Sequence, residues 1–446
     1  MRLLLIIFIV FLLSGCKEGG VLIDDSAVLD SLSSTLSVKT YTIGTGDIVV
    51  YEGNLVFLEY QIQGKVGDES KDLSLDKINK KGNKEVIHLK PEWQYELPEE
   101  MEDIKEELKG FEPESVVTNR LYKSPDGFLY AWGTTTPRFR SDVTAMSIVK
   151  FDKDCNIIYN KCVMYSTQDY EGNNLKIPKY GIPLSNGKFA VIMQKEQTYD
   201  YYTGAYGQEE WSIMVLDSDG NTESDNKINI DLSSYSLHTI FSSNDVICFN
   251  CVTYSGEEFR KIYGYSTSGE LLNTLTLSYD SGEAIYTGNS TFMIHIDKDK
   301  KEIGGEIAEG VPMTIEIGKY GYDKFMFPEI ETNYFEDSDS TYVIIGGSYC
   351  SGNEFLYGYC KENYTGSRDA DYIYNITPSK GIILKDNKLY KISGLNPIVI
   401  VGVWYENGIY GIYYRELRPE DNDSKVSFWS NKVHYIEVDD LKKLEF

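Results

Sequence analysis

Apolar and polar positions alternate along most of the chain with the period of a strand, not a helix. The clearest form is a repeated unit of apolar strand, four-residue turn and second strand. It reads IVKF-DKDC-NIIYNKCV at 148–163, IMVL-DSDG-NTESDNKI at 213–228 and IYGY-STSG-ELLNTLTL at 262–277. Weaker copies are INKKG-NKEVIHL (78–89) and FMIHI-DKDK-KEI (292–303). Asp, Asn or Ser at the first turn position bonds the local backbone, and Gly near the end supplies positive φ. Where Cys155 or Lys300 replaces that Gly, the next residue is expected to take the strain. Further strands precede the turns: DGFLYAWG (126–133), NGKFAVIM (186–193) and NDVICFNCV (244–252). The C-terminal third continues the theme with STYVIIGG (340–347), KGIILKDNKLYKI (380–392), NPIVIVGVWYENGIYGIYY (396–414) and KVHYIEVD (432–439).

Short alternating strands with turn signals between them predict an all-β repeat architecture. The turns start at Asn79, Asp152, Asp217, Ser266 and Asp297, which are 73, 65, 49 and 31 residues apart. That drift is too large for a solenoid, whose units stack in register, but a β-propeller tolerates it, because only the blade strands must match. The parsing gives about seven blades, with six or eight also fitting, over residues 41–446; the unit near 280–330 fits worst. One stretch breaks the rhythm, PEEMEDIKEELKGF at 98–111. Met101, Ile104 and Leu108 fall at helical spacing, Pro98 suits a first turn and Gly110 a stop, so a short helix near 98–110 is expected over the side or rim. The repeat resembles the degenerate propeller repeat dGgyvv-G…lvklDsdGni of many Bacteroidetes lipoproteins.

At the N-terminus, Arg2 precedes an apolar run from Leu3 to Leu13, followed by Ser14, Gly15 and Cys16. The run is short for a membrane span, and small residues before a Cys form a processing site. Leu13-Ser14-Gly15-Cys16 resembles the lipobox of the bacterial lipoprotein signal. The resemblance implies a signal peptide at 1–15, cleavage before Cys16 and attachment of palmitate-type acyl chains to Cys16. Two or three such chains anchor stably where one would not. Residues 16–40 then serve as the lipidated Cys and a flexible tether rich in Ser, Gly, Asp and Thr. Lys17-Glu18, with no Asp after the Cys, points to the outer membrane, with either its periplasmic or its surface-exposed face open.

Composition narrows the function classes. With 41% hydrophobic and 13% aromatic residues the chain has ample core material. Its 43 Lys+Arg against 69 Asp+Glu leave a formal charge of -26, which argues against a nucleic-acid partner and against a polybasic membrane binder. His88, His238, His295 and His434 lie far apart, and no GxSxG, HExxH, phosphate-binding glycine loop or GxGxxG stands out. The Asp-x-Asp runs at 152–154, 217–219 and 297–299 read as hairpin turns rather than calcium loops, so no metal or cofactor is expected. Cys248 and Cys251 match CxxC spacing within a strand-like run, which sends them to opposite faces and makes them structural. In an oxidising compartment Cys350–Cys360 and Cys155–Cys162 are candidate disulfides.

The candidate chemistry is aromatic. QTYDYYTGAYGQEEW (197–211) reads as a long loop carrying Tyr199, Tyr201, Tyr202, Tyr206 and Trp211. If the Asp-x-x-Gly turns join the third and fourth strands of each blade, the loops before them join second to third and share one face. Segments 134–143, 197–211 and 255–259 would then lie together, with Arg138 and Arg140 beside the tyrosines. Stacking and bidentate pairing suit a hydroxyl-rich or carboxylated ligand. Three readings follow: an outer-membrane binding protein for a glycan or protein, a carbohydrate-active hydrolase or lyase with pore carboxylates, or a structural subunit of an envelope complex. A propeller scaffold hosts all three.

Overall fold

A computed structural model describes residues 38–278 apart from segments such as 64–69, 110–119, 136–141, 201–204 and 253–257; from 284 to 444 it describes the strands and turns named below. The expected signal and most of the expected tether (residues 1–37) therefore lie outside the described residues. The fold is all-β, and its described strands form seven four-stranded antiparallel meanders, the blades of a propeller. Blade 1 is Ile48–Tyr51, Asn54–Gln63, Ser70–Ile78 and Lys84–His88; blade 2 is Arg120–Lys123, Leu129–Thr135, Val143–Phe151 and Ile157–Ser166. Blade 3 is Lys176–Pro183, Phe189–Lys195, Glu210–Leu216 and Thr222–Ile228; blade 4 is Ser236–Ser243, Val246–Val252, Glu258–Tyr265 and Leu271–Ser278. Blade 5 is Ala284–Gly288, Thr291–Ile294, Met313–Gly318 and Gly321–Met326; blade 6 is Thr341–Tyr349, Phe355–Tyr364, Ser379–Lys385 and Lys388–Ile392. Blade 7 takes Ile398–Glu406, Ile409–Pro419 and Lys432–Val438 from the C-terminus and Lys39–Thr42 from the N-terminus, Lys39 pairing with Tyr435 and Thr42 with Lys432. The propeller thus takes in Lys39 and Thr40, ahead of the expected boundary at 41.

The core lies between blades, as strand periodicity demands. In blade 1, Leu55 and Phe57 face blade 7, while Val56 and Leu58 face blade 2. In Val143–Phe151 all nine residues are buried: Met146 and Ile148 face blade 3, Val149 and Phe151 face blade 1. Tyrosines tie neighbouring blades together. Tyr413 Oη donates to the Gly53 carbonyl (3.0 Å), Tyr51 Oη to that of Gly127 (2.6 Å) and Tyr130 Oη to that of Gly187 (2.8 Å). Gly187 has φ 68°, and a Cβ there would meet Lys150 Nζ at 2.6 Å. Lys150 is buried and spends its ammonium on the carbonyls of Gly187 and Ser218, both at 2.9 Å, over the Phe128 ring. Burial lowers its pKa, and Asp126, Asp219 and Asp217 pull it back.

The Asp-type turns do join third to fourth strands, at Asn79, Asp152, Asp217 and Ser266. Each first residue caps its own turn: Asp217 Oδ1 accepts from the backbone of Asp219 (2.9 Å) and Asn221 (2.8 Å), and Asp152 Oδ1 does the same for Asp154 and Asn156. Both carboxylates are held below their usual range, Asp152 first by the Asn156 side-chain amide and then by its backbone bonds, Asp217 first by the backbone N–H of Asn221. Two expectations are corrected here. At Cys155 the cysteine itself takes the left-handed conformation (φ 69°), not the residue after it. The 292–303 copy is not a third-to-fourth turn: Thr291–Ile294 is a second strand, and Lys301–Ile303 pairs with Leu277 on the edge of blade 4, so this stretch is an insertion.

The helix of 98–110 is present, beginning as a 3-10 turn at Glu99–Ile104 and becoming α-helical at Lys105–Lys109. It buries Leu108 against Val143, Ala145 and Met164 of blade 2. Ahead of it, Glu92–Glu96 adds a fifth strand to blade 2, parallel to Ile157–Ser166, which the sequence reading did not anticipate. The Cys155–Cys162 disulfide is also corrected: both are buried thiols. The strand rises about 17 Å between Ile157 and Cys162, against about 6 Å between bridged Cα atoms. Cys248 and Cys251 are likewise buried thiols on opposite faces of their strand, and burial pushes that of Cys251 up to about 12. Of the other pair, Cys350 lies outside the described residues, and the register sets Cys360 opposite Ile344.

Candidate functional site

Every first-to-second and third-to-fourth connection leaves from one end of the blades, and every second-to-third and inter-blade connection from the other. These ends are the turn face and the loop face. Contacts across blades confirm the grouping on the turn face: Lys80 of the blade 1 turn pairs with Glu406 of the blade 7 turn at 2.9 Å. The strand ends that flank segments 134–143, 197–211 and 255–259 are second-to-third ends and lie at the loop face.

The 197–211 segment holds a hairpin of Tyr199–Asp200 and Ala205–Tyr206, with Tyr199 opposite Tyr206 in register. Its base is fixed by polar contacts. Gln194 Nε2 donates to Glu209 Oε1, and Glu210, paired with Lys227 at 3.0 Å, is held below the usual carboxylate range by that lysine. Nearby, Lys176 pairs with Asp225 at 2.5 Å and Lys179 with Glu196 at 2.7 Å. Charges at the root of the hairpin are therefore internally matched. Arg138, Arg140, Tyr201 and Tyr202 lie outside the described residues.

Trp211 does not belong to this site. It is 4% exposed, packs edge-on against Phe249 (centroids 6.1 Å, 83°) and shares the blade 3–blade 4 core with Ile213 and Val215. Positions 211, 213 and 215 share one face of the strand, so the apolar alternation simply begins at the tryptophan.

A second feature of the loop face was missed by sequence reasoning. Asp47 heads the first strand of blade 1, half-buried, and its two oxygens accept from the backbone N–H of Ile48 (3.1 Å) and, across the blade boundary, of Leu121 (2.9 Å). Burial pushes its carboxyl above the usual range, while the two N–H groups and the Arg120 guanidinium pull the other way. Burial also raises the neighbouring Tyr122 phenol, opposed by Arg120 and reinforced by Asp47. A lone Asp after Gly44-Thr45-Gly46 carries no sequence pattern that would mark it.

No protein-family model matches the chain, and no curated protein matches it in sequence. Among solved structures it is similar to the β-propeller domain of the trilobed protease of Pyrococcus furiosus, at 10% identity over 84% of this chain and 90% of that one, with a TM-score of 0.41. It is also similar to the acylaminoacyl peptidase of Pyrococcus horikoshii, at 9% identity and TM-score 0.42, covering 84% of this chain but 49% of that one, about half its length. A subtype N10 neuraminidase-like protein of A/little yellow-shouldered bat aligns over 90% of this chain and 99% of its own, at 11% identity and TM-score 0.31. At such identities the likeness concerns the fold alone.

Proposed function

We propose that the protein is a lipid-anchored β-propeller of the outer membrane that binds a glycan or protein ligand on its loop face. One observation carries the reading. The strand ends that flank the long connections of blades 2 and 3, with the hairpin that sets Tyr199 opposite Tyr206 between the latter, share one face, whereas the tight turns of the other face spend their side-chain acceptors on their own backbone. Tyrosines in recognition loops offer rigid, amphipathic contact area at low entropic cost. Arg138 and Arg140 fall in the neighbouring blade 2 connection and supply positive charge for a carboxylated ligand. The test replaces residues 197–208 by a short turn and compares retention on a panel of host and plant glycans. Retention should be lost with the melting temperature unchanged; undiminished retention overturns the assignment.

A second reading, a carbohydrate-cleaving enzyme on the same scaffold, draws on the half-buried Asp47 with its raised carboxyl beside Arg120 and Tyr122. An enzyme of this kind would release products from the same panel, and Asp47→Asn would abolish that release while the fold persisted. Retention without products leaves binding as the function.

A further inference from the structure

An asparagine followed by glycine is prone to lose ammonia. The next backbone nitrogen attacks the side-chain amide, and glycine, lacking a Cβ, leaves that nitrogen unshielded. The chain contains the pair twice, at Asn186-Gly187 and Asn407-Gly408. Each forms the first-to-second turn of its blade, blade 3 and blade 7, on the turn face. Their backbones match: Asn186 and Asn407 have φ 56° and 53°, Gly187 and Gly408 φ 68° and 81°. Positive φ at both central residues is the hairpin turn that favours Asn-Gly. Local conformation therefore does not separate the two turns, but their surroundings do.

Gly187 is buried against blade 2. Its N–H donates to Asp126 Oδ2 at 2.5 Å, and its carbonyl accepts from Tyr130 and Lys150. The Asn186 amide donates to Ser185 Oγ, which donates in turn to Asp245 of the blade 4 turn. A carboxylate on the Gly187 N–H holds in place the proton that must leave before that nitrogen can attack. In blade 7, by contrast, Asn407 and Gly408 are both exposed, and a Cβ on Gly408 would meet nothing within 4 Å. Among the described residues nothing bonds the Gly408 N–H or the Asn407 amide.

We infer that Asn407 is a modification site, deamidated in the folded protein to aspartate and isoaspartate, while the fold protects Asn186. The Gly408 nitrogen gives up its proton and bonds to Asn407 Cγ, and ammonia leaves, closing a cyclic imide. Water then opens the imide at either carbonyl, giving an aspartyl or an isoaspartyl bond. No other reactant is needed, and the site is independent of what the loop face binds. The isoaspartyl product adds a methylene to the main chain of a turn in which Glu406 pairs with Ile409, beside the Tyr405 and Tyr410 rings at 4.6 Å. The same pairing holds Glu406 where it meets Lys80 of blade 1, so the change bears on the seam where the ring closes.

The experiment incubates the full chain at mildly alkaline pH and follows the mass of both Asn-Gly peptides over time. Asn407 should convert about ten- to a hundredfold faster than Asn186, the factor for first breaking a hydrogen bond to a charged acceptor. In denaturant the two should convert at closely similar rates. Asp126→Ala should speed conversion at Asn186 and leave Asn407 as it was. Equal rates in the folded chain, or an Asn407 that stays intact, overturn the inference. Asn407→Asp carries the new charge on an ordinary backbone and should melt with the unmodified protein, whereas the isoaspartyl form should melt lower. An isoaspartyl form as stable as Asn407→Asp would overturn the effect on the seam.

Discussion

Trp211, Ile213 and Val215 occupy alternate positions of one strand and fill the space between blades 3 and 4. A residue so placed acts on stability before it acts on any ligand. Trp211→Ala should cost about 3–5 kcal/mol in denaturant unfolding, the range for emptying a buried aromatic site. A loss under about 1 kcal/mol would contradict its place in the core. The same period-2 logic that located the strands was enough to bury Trp211, but the tyrosines before it drew it into the loop. Cys155 shows the opposite limit. Its turn was legible from Asp152, yet which residue would hold positive φ without a glycine depends on the Cys155 side chain packing into the blade 1–blade 2 core.

At the scale of elements, third-to-fourth turns were readable because their chemistry is local: one side chain caps the turn and one residue supplies its left-handed step. Glu92–Glu96 was not, because a parallel strand is joined to its partner by a crossover and leaves no hairpin signal. Links between blades were equally hidden, since nothing local pairs Tyr130 with a carbonyl 57 residues away. They are testable. Tyr130→Phe should cost about 0.5–1.5 kcal/mol, the net worth of one hydrogen bond, because the Gly187 carbonyl still accepts from Lys150. Tyr413→Phe acts at a different blade boundary and should add independently. A double variant no less stable than either single one would show that these tyrosines merely fill space.

For the molecule as a whole, the wealth of tyrosine sets a pH limit. Burial pushes Tyr51, Tyr130, Tyr159, Tyr165, Tyr265, Tyr413, Tyr414 and Tyr435 above the ordinary phenol range. Below about pH 10 both folded and unfolded chains keep these protons, and nothing is lost. Above it the unfolded chain ionises first, so stability falls as pH rises. One unit past 10 the eight together amount to roughly 10 kcal/mol, comparable to the whole stability of a domain. Lys150, whose pKa is lowered by burial, works the other way, gaining stability as pH approaches its ordinary value, but it is one group against eight. The share of the tyrosinate absorbance that belongs to these eight should therefore appear together with loss of sheet circular dichroism, between about pH 10 and 11, on top of the ordinary titration of exposed tyrosines. Complete ionisation of all 36 tyrosines with the sheet intact would contradict the burial. The architecture itself was legible from repeat spacing, because blades tolerate loops of any length; the position of Asp47 was not, because it arises where two blades meet.

Closure of the ring by Lys39–Thr42 also sets an order of events in time. The first of the described strands completes the last blade, so it must wait, with its edge unpaired, until residue 438 has emerged nearly four hundred residues later. Contacts of such sequence separation form late and leave an open strand edge while they wait. The other six blades can each zip from adjacent hairpins as they appear, so the joining of the two ends is the slow, final event of folding. A chaperone that shields one short N-terminal segment would protect this protein through most of its assembly.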